Sequence, residues 1–311
     1  MDNKIKISVI LPAYNAEETI GKAIQSIIEQ TYKEWELLVI NDGSTDETKS
    51  VILSFDDPRI KYIENDGNKK LIYTLNRGLE LAKGKYIARM DADDISLPER
   101  FENQLEYMES HSECVVCGTL IQKFFGNEII ANRFGYVGTS ESLKKELLIH
   151  SCFMHPTVML RTDVIKNNNV KYDENFIHAE DYKLWIDLMD YGTFCNLPIV
   201  LLKYRMSREQ ITTKYDKIMH ETARRCRRLY ISKTESDEVI KSEVSGECIT
   251  RNSLSKARGN IKLLECLYLS LQNYSISNFF YLIYSGDLFR IRFMVLLAIL
   301  KRFVKGNNPV L

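Results

Sequence analysis

The chain has 311 residues, enough for one large domain and an appendage of roughly 100 residues. Its 42 basic and 42 acidic side chains cancel, which argues against a protein that binds nucleic acid through a general positive charge. Its seven cysteines are scattered, and residues 1–4 lack the apolar core of a signal peptide, so we expect a cytoplasmic protein without disulfides.

The first hundred residues alternate short apolar runs with amphipathic segments. This pattern is typical of strand and helix units packed around a mostly parallel sheet, and predicts an α/β fold. A strand is predicted in each of four apolar runs, 5–11, 37–40, 60–63 and 86–90. Helical spacing of apolar residues predicts a helix after each strand.

Local signals predict where these elements begin and end. Pro12 lacks an N–H and should end the first strand, and Asn15 should cap the first helix. Gly84 should terminate the third helix. Ser96 and Glu99 have the spacing of a capping box at the start of the fourth helix.

Three loops follow predicted strands: Pro12–Asn15, Asn41–Asp46 and Asp91–Asp94. Ligands of open α/β sheets bind outside the carboxyl ends of the strands. We therefore expect the three loops to meet in one crevice.

Cys114 and Cys117 have the spacing of a zinc half-site, but the residues around them read as a strand. Alternation would send the two side chains to opposite faces, and no second ligand pair follows. We interpret both as core cysteines.

The remainder is mixed strand and helix up to Tyr204 and mostly helical after Tyr215. No sequence repeat is evident. The longest apolar stretch, Phe293–Leu300, is far shorter than the ~20 residues of a membrane span. We predict a catalytic domain at 1–212 and a helical appendage at 213–311.

Asp91, Asp93 and Asp94 form an acidic cluster after the fourth strand. Neighbouring carboxylates repel one another, and a divalent cation would offset that repulsion. Oxygen ligands suit Mg²⁺ or Mn²⁺, which bridge carboxylates to nucleotide phosphates. The alternative interpretation is a capped turn with solvated aspartates.

Four segments make the chain resemble the inverting glycosyltransferases of family 2, which have the GT-A fold. The segments are VILPAYN at Val9–Asn15, VINDGSTD at Val39–Asp46, ARMDADD at Ala88–Asp94 and HAEDYKLW at His178–Trp185. Their order and spacing match the family across about residues 4–212.

The resemblance implies a nucleotide-sugar donor, with a UDP-sugar expected, and Mn²⁺ or Mg²⁺ as cofactor. It implies that Pro12, Ala13, Tyr14 and Asn15 wrap the nucleoside. Asp42 then resembles the residue that binds uracil. Further implied roles place Arg89 beside the diphosphate, Asp91 near the ribose or the metal, and Asp93 as the direct metal ligand.

Glu180 and Asp181 resemble the catalytic acid pair of the family, in which the aspartate is the general base. A carboxylate base helps because a sugar hydroxyl is a poor nucleophile at neutral pH. Glu180 would orient the acceptor. The alternative is that both are ordinary first-turn acids favoured by the helix dipole.

Four more residues are candidates for the acceptor or diphosphate side: His155, Trp185, Arg205 and Arg208. For His155 a structural role is the alternative. Many relatives have a histidine where this chain has Ser207, which puts a third protein ligand for the metal in doubt. Arg205 or Arg208 could then contact phosphate directly.

The appendage has an apolar stretch between cations at Arg290–Arg302. Such a segment suits an interfacial helix that would bring the enzyme to the inner face of the membrane, beside a lipid-linked acceptor. Packing on the catalytic domain or on a partner subunit is the equal alternative.

The expected function is transfer of a sugar to a hydroxyl of a saccharide or lipid-linked acceptor in surface-polysaccharide synthesis, with no nucleic acid involved. A sugar-phosphate nucleotidyltransferase would need a basic, glycine-rich loop after the first strand, and Leu11–Asn15 has neither feature. A non-catalytic nucleotide-sugar-binding scaffold would be favoured by loss of Asp93 or Asp181, and both are present.

Overall fold

A computed structural model describes residues 5–147, 150–207 and 216–234 of the chain. Within them, nine strands form one sheet. The strands are β1 Ile7–Ala13, β2 Trp35–Asn41, β3 Ile60–Glu64, β4 Tyr86–Arg89, β5 Ile95–Ser96, β6 Cys114–Phe125, β7 Glu128–Phe134, β8 Met159–Arg161 and β9 Thr193–Arg205.

Helices flank this sheet and connect its strands. They are α1 Ile20–Ile28, α2 Thr48–Leu53, α3 Leu71–Leu81, α4 Arg100–Ser110, α5 Ser140–Glu146, α6 Thr162–Asn167, α7 Glu180–Leu188 and α8 Asp216–Thr234. Short 3-10 turns lie at His155–Thr157 and Glu174–Phe176. The predicted α/β class is confirmed, and the four strands predicted in the first hundred residues are all present.

The strand order is β3-β2-β1-β4-β8-β6-β9-β5, with β7 paired to β6. The pairs among β1 to β4 are all parallel, so their carboxyl ends meet at one edge of the sheet. Beyond β4 the sheet is mixed, because β8 runs antiparallel to both β4 and β6 while β6 and β9 are parallel.

The core lies where α1 and α4 cover the central strands. Every residue of β1 and of β2 is buried, as is usual for central parallel strands covered on both faces. Ile20, Ile24 and Ile27 of α1 recur on one helix face and are fully buried against these strands.

Pro12 does not end the first strand, contrary to the prediction. Ile10 O accepts a hydrogen bond from Met90 N over 3.0 Å, so Ile10 faces β4. Pro12 is two residues on and faces the same side, but the pairing with β4 stops at Ile10. The missing N–H therefore removes no ladder hydrogen bond, and β1 continues to Ala13.

Two predicted helix boundaries are also wrong. The helix α3 ends at Leu81, before Gly84. Gly84 instead lies close against β1, where a Cβ on it would be 2.6 Å from the backbone nitrogen of Ser8. Ser96 makes no capping box, because it pairs with Leu202 in the short strand β5. Its hydroxyl accepts a hydrogen bond from Gln30 Nε2 over 3.1 Å.

Cys114 and Cys117 lie in the predicted strand, β6, and both are buried in the same hydrophobic core. The expectation that they face opposite sides is wrong, because the strand register shifts between Cys114 and Val116. Such an irregularity adds a residue and resets the alternation of side chains.

The chain divides into two units between Cys226 and Arg227, within α8. The predicted domain boundary at 212/213 and the segment Arg290–Arg302 lie outside the described residues. In the part of the chain that the structure describes, no helix combines the length and apolarity needed to cross a bilayer.

Candidate active site

The loops after β1 and β2 are joined to each other at the carboxyl edge of the sheet. Asn15 N donates to Ser44 Oγ over 3.0 Å, and Asn15 Oδ1 accepts from Thr45 N over 2.9 Å. The prediction that Asn15 caps α1 is wrong, because α1 begins at Ile20 and its N-cap residue is Thr19. Asn15 instead has a φ of 47°, in the left-handed region. Asparagine tolerates that conformation better than most residues, and here it ties the two loops together.

The other residues predicted to wrap a nucleoside differ in exposure. Pro12 and Ala13 are buried at the end of β1, whereas the Tyr14 side chain is 48% exposed beside them. Tyr14 is therefore the member of this segment that has a free ring face for a ligand.

Asp42 is buried directly after β2, and its carboxylate is held by the loop before α3. Oδ1 accepts from Asn65 Nδ2 over 2.7 Å and from Lys69 N over 2.8 Å. Oδ2 accepts from Lys70 N over 2.9 Å. These contacts give Asp42 a structural role whether or not it also binds a nucleobase.

The acidic cluster follows β4, the strand beside β1. One carboxylate oxygen from each of Asp91, Asp93 and Asp94 lies within 4.8 Å of the others. Burial and the charge of Asp91 raise the pKa of Asp93 to about 6. The same two causes, with the added charge of Asp93, raise the pKa of Asp94 well above its usual range. Asp93 and Asp94 thus lack the solvent that a capped, solvated turn would provide, whereas Asp91 is partly exposed.

The cluster has the donor set of a hard divalent cation. Asp94 Oδ2 is buried and has no hydrogen-bond partner, which costs free energy unless something cationic approaches it. Mg²⁺ and Mn²⁺ prefer such oxygen ligands. Asp94, which the sequence places in the acidic cluster but not among the named ligands, therefore joins Asp91 and Asp93 as a candidate ligand.

Arg205, at the end of β9, closes one side of the cluster. Its backbone N–H donates to Asp94 Oδ1 over 2.8 Å, and its Nε donates to Asp93 O over 2.8 Å. The guanidinium also lies over the Phe124 ring, 4.6 Å from its centre. Ser207 is exposed two residues on, and Arg208 lies outside the described residues.

The predicted acid pair, Glu180 and Asp181, begins α7. Glu180 is buried, and burial together with the charge of Asp181 raises its pKa to about 7. Burial also raises the pKa of Asp181. First-turn acids that merely complement a helix dipole lie in solvent and keep ordinary values, so the environment favours the functional interpretation.

Ser151 and Trp185 support Asp181. The Ser151 hydroxyl donates to Asp181 Oδ2 over 3.0 Å, and the Trp185 indole N–H donates to Ser151 Oγ over 3.1 Å. Trp185 is fully buried, so it reaches the site through Ser151 and not through an exposed ring face.

His155 is a partly buried, uncharged imidazole. Its Nε2 shares a hydrogen bond of 2.8 Å with the Tyr172 hydroxyl, and its ring meets Trp185 edge-on at 5.9 Å. Burial and the charge of Arg89 hold the pKa of His155 well below its usual value. These contacts explain the histidine structurally, and a direct contact with substrate stays a prediction.

Arg89 connects the acidic cluster with the acid pair. Its buried guanidinium forms an ion pair with Asp91. Burial raises the pKa of Asp93, of Glu180 and of Asp181, and the charge of Arg89 offsets part of that rise in each case. The carboxylates of the two groups therefore lie within electrostatic range of the same buried cation, Arg89.

Sequence patterns did not indicate Ser151 or Tyr172 as parts of the site. Tyr172 is held by Asn76, which accepts from Tyr172 N over 2.8 Å and donates to Tyr172 O over 2.9 Å. Neither Ser151 nor Tyr172 lies in a recognisable motif. Only the folded structure shows that Ser151 lies beside Asp181 and Tyr172 beside His155.

Comparison with known proteins identifies the family and the fold. The model of the family "Glycosyl transferase family 2" matches residues 8–168. An uncharacterized glycosyltransferase of Haemophilus influenzae is 33% identical over 326 residues, covering 100% of both chains. The UDP-Glc:alpha-D-GlcNAc-diphosphoundecaprenol beta-1,3-glucosyltransferase WfgD of Escherichia coli is 32% identical over 212 residues, 67% of this chain and 79% of the relative.

Solved structures share the fold at low sequence identity. S. aureus TarS 1-349 in complex with UDP-GlcNAc has a TM-score of 0.63 at 18% identity, covering 97% of this chain and 92% of TarS. The mannosyltransferase PcManGT of Pyrobaculum calidifontis, solved with GDP-Man and Mn²⁺, has a TM-score of 0.56 at 14% identity, covering 97% of this chain and 88% of that protein. The predicted GT-A fold is confirmed, and the chain belongs to glycosyl transferase family 2.

Proposed function

We propose that this family 2 glycosyltransferase uses a UDP-sugar and a divalent metal ion to glycosylate a hydroxyl of a lipid-diphosphate-linked saccharide, with inversion. The observation that carries the proposal is that two carboxylate groups lie within electrostatic range of Arg89: the cluster Asp91, Asp93 and Asp94, and the pair Glu180 and Asp181. One group suits a metal-bound diphosphate, and the other suits a proton acceptor.

The donor side is supported by the edge where β1, β2 and β4 end. Tyr14 offers an exposed ring there, and Asp93 and Asp94 offer desolvated carboxylates. A divalent ion held by Asp91, Asp93 and Asp94 would stabilise the negative charge that develops on a departing diphosphate. A UDP-sugar is favoured because WfgD bears a UDP-glucose name and TarS was solved with UDP-GlcNAc.

The acceptor side is supported by Asp181. Its carboxylate would take the proton of the acceptor hydroxyl while that oxygen attacks the anomeric carbon from the face opposite the diphosphate. The buried Glu180 beside it would receive a hydrogen bond from the acceptor when ionised, or donate one when protonated. A lipid-diphosphate acceptor is favoured by the diphosphoundecaprenol acceptor in the name of WfgD. Such an acceptor would place the enzyme at the inner face of the membrane.

A panel of nucleotide sugars tests the proposal. Purified protein is incubated with UDP-glucose, UDP-GlcNAc, UDP-galactose, GDP-mannose or dTDP-glucose, with or without GlcNAc-diphosphoundecaprenol, in Mn²⁺ or in EDTA. We expect a UDP-sugar to release UDP only when metal and acceptor are both present. Transfer from GDP-mannose or dTDP-glucose but from none of the UDP-sugars would contradict the donor assignment. Full transfer in EDTA would contradict the requirement for a metal ion.

A further inference from the structure

Ser151 occupies a fixed place between two side chains of α7. It precedes the 3-10 turn at His155–Thr157 in the chain, while Asp181 and Trp185 lie one helical turn apart on α7. Its hydroxyl oxygen is 3.0 Å from Asp181 Oδ2 and 3.1 Å from Trp185 Nε1. A third contact, to Phe153 O, is longer at 3.4 Å.

The donors and acceptors determine the direction of these hydrogen bonds. The indole N–H of Trp185 can only donate, so it occupies a lone pair of Ser151 Oγ. The single hydroxyl hydrogen of Ser151 is then left for Asp181 Oδ2 or for Phe153 O. A carboxylate at 3.0 Å is the stronger acceptor, because hydrogen bonds to charged groups are shorter and roughly twice as strong as neutral ones.

We propose that Ser151, oriented by Trp185, is a positioning residue that holds the Asp181 carboxylate in place and in its charged form. The proposal rests on the assignment of Asp181 as the base under the proposed function. Ser151 acts on Asp181 alone and does not itself exchange a proton with the acceptor.

The surroundings of Asp181 show why one hydroxyl matters. Burial favours the neutral acid, and the acidic groups Glu180, Tyr172 and Cys152 lie within electrostatic range. His155, which packs against Trp185, is neutral and adds no positive charge. Burial raises the pKa of Asp181, and three kinds of group counteract that rise: backbone N–H groups of the first helical turn, the Ser151 hydroxyl and the Arg89 cation.

Removing the hydroxyl should therefore favour the protonated form of Asp181. In Ser151→Ala the pKa of Asp181 should rise by about one pH unit, since a hydrogen bond to a charged group typically contributes that much. Ser151→Thr keeps the hydroxyl and should stay near wild type. Trp185→Phe keeps a buried ring but frees the Ser151 hydroxyl to rotate, so it should show part of the rise.

Carbon-13 NMR of aspartate-labelled protein measures this titration without any substrate. Asp181→Asn identifies the resonance, and thermal unfolding of each variant confirms that it is folded. A rise of the Asp181 midpoint in Ser151→Ala, with Ser151→Thr unchanged, supports the proposal. An unchanged midpoint in folded Ser151→Ala, or an equal rise in Ser151→Thr, would overturn it.

The pH dependence of kcat then links the contact to turnover. With the UDP-sugar that the panel identifies, the acidic limb of kcat in Ser151→Ala should move to higher pH by the same amount, with KM for the donor unchanged. A limb that stays in place while the NMR midpoint moves would overturn the positioning role. Failure of the proposed function itself would be seen separately, as normal turnover in Asp181→Asn.

Discussion

The guanidinium of Arg89 forms a buried ion pair with Asp91, two residues further along the chain. The arginine is only 4% exposed, whereas the Asp91 side chain is 28% exposed and faces the other carboxylates of the cluster. The charge of Arg89 also acts on Glu180 and Asp181 of α7, so the ion pair at the end of β4 is electrostatically linked to these two acids.

Loss of this cation should destabilise the fold far more than loss of a surface cation. Arg89→Met keeps much of the volume but leaves Asp91 without its partner, and should lower the free energy of unfolding by roughly 2 to 4 kcal/mol. Lys49→Met is the matched control, because the Lys49–Glu64 pair is half exposed and solvent screens such pairs, so that they contribute little to stability. Equal urea midpoints for the two variants would contradict the account.

Two glycines should respond in opposite ways to alanine. A Cβ at Gly84 would lie 2.6 Å from Ser8 N and 2.8 Å from Ile7 C, and backbone atoms of a central strand cannot move cheaply. We expect Gly84→Ala to lower the free energy of unfolding by about 1 to 3 kcal/mol.

Gly21 lies in α1, and a Cβ there would meet only Val51 Cγ1 at an ordinary 3.5 Å. Gly21→Ala should therefore be neutral or stabilise by about 0.5 to 1 kcal/mol, through helix propensity. Thermal unfolding of both variants checks the pair. A Gly84→Ala protein as stable as Gly21→Ala would show that the approach of residue 84 to β1 is not tight.

Glu180 should make the stability of the protein depend on pH. Burial raises the pKa of Glu180 from its usual value near 4.5 to about 7, so the native state retains a proton that the unfolded chain releases. The contribution of Glu180 to the free energy of unfolding therefore falls as the pH rises from about 4.5 to 7 and stays low above that range.

Glu180→Gln removes this penalty. Relative to wild type, the free energy of unfolding of Glu180→Gln should be higher by about 2 to 3 kcal/mol at pH 8, with no comparable increase at pH 4.5. Glu174→Gln is the control, because that side chain is exposed. Chemical denaturation at the two pH values measures the difference. A gain for Glu180→Gln that is equal at both would rule out a titrating buried carboxyl.

Asp93 should govern metal-dependent nucleotide binding. Asp93→Asn keeps the size of the side chain but removes one negative charge from the cluster, so UDP–Mn²⁺ affinity should fall about tenfold or more, equal to about 1.4 kcal/mol. Asp66→Asn, on the exposed loop before α3, should bind as wild type. Calorimetric titration of UDP with Mn²⁺ compares them, and unchanged affinity in Asp93→Asn would remove this residue from the metal site.

The parallel half of the fold could be predicted because its signals are local. The strands β1 to β4 are short apolar runs, and the cluster at Asp91–Asp94 follows directly from the end of β4. The mixed half could not be predicted in the same way. The spacing of Ser96 and Glu99 predicts a helix cap, but the hydrogen bond of Ser96 with Gln30 and its pairing with Leu202 join segments 66 and 106 residues apart along the chain.

The same distinction applies to the candidate site. Asp93 and Asp181 stand in motifs, so their sequence neighbours indicated them. Ser151 is joined to Asp181 across 30 residues, and a lone serine in a loop has no pattern that predicts this contact. Asn15 was given the wrong role, because a left-handed φ and contacts to Ser44 and Thr45 depend on how two loops meet.

The most direct test of the account is the turnover number of Asp181→Asn at saturating donor, measured beside its donor affinity. The amide preserves the shape of the side chain but cannot accept the acceptor's proton. We expect transfer to fall by about 10²- to 10⁴-fold while UDP-sugar binding changes little, with the wild-type product carrying the anomeric configuration opposite to that of the donor. Near-normal turnover in Asp181→Asn would contradict the assignment of Asp181 as the base, and a retained configuration would contradict single displacement.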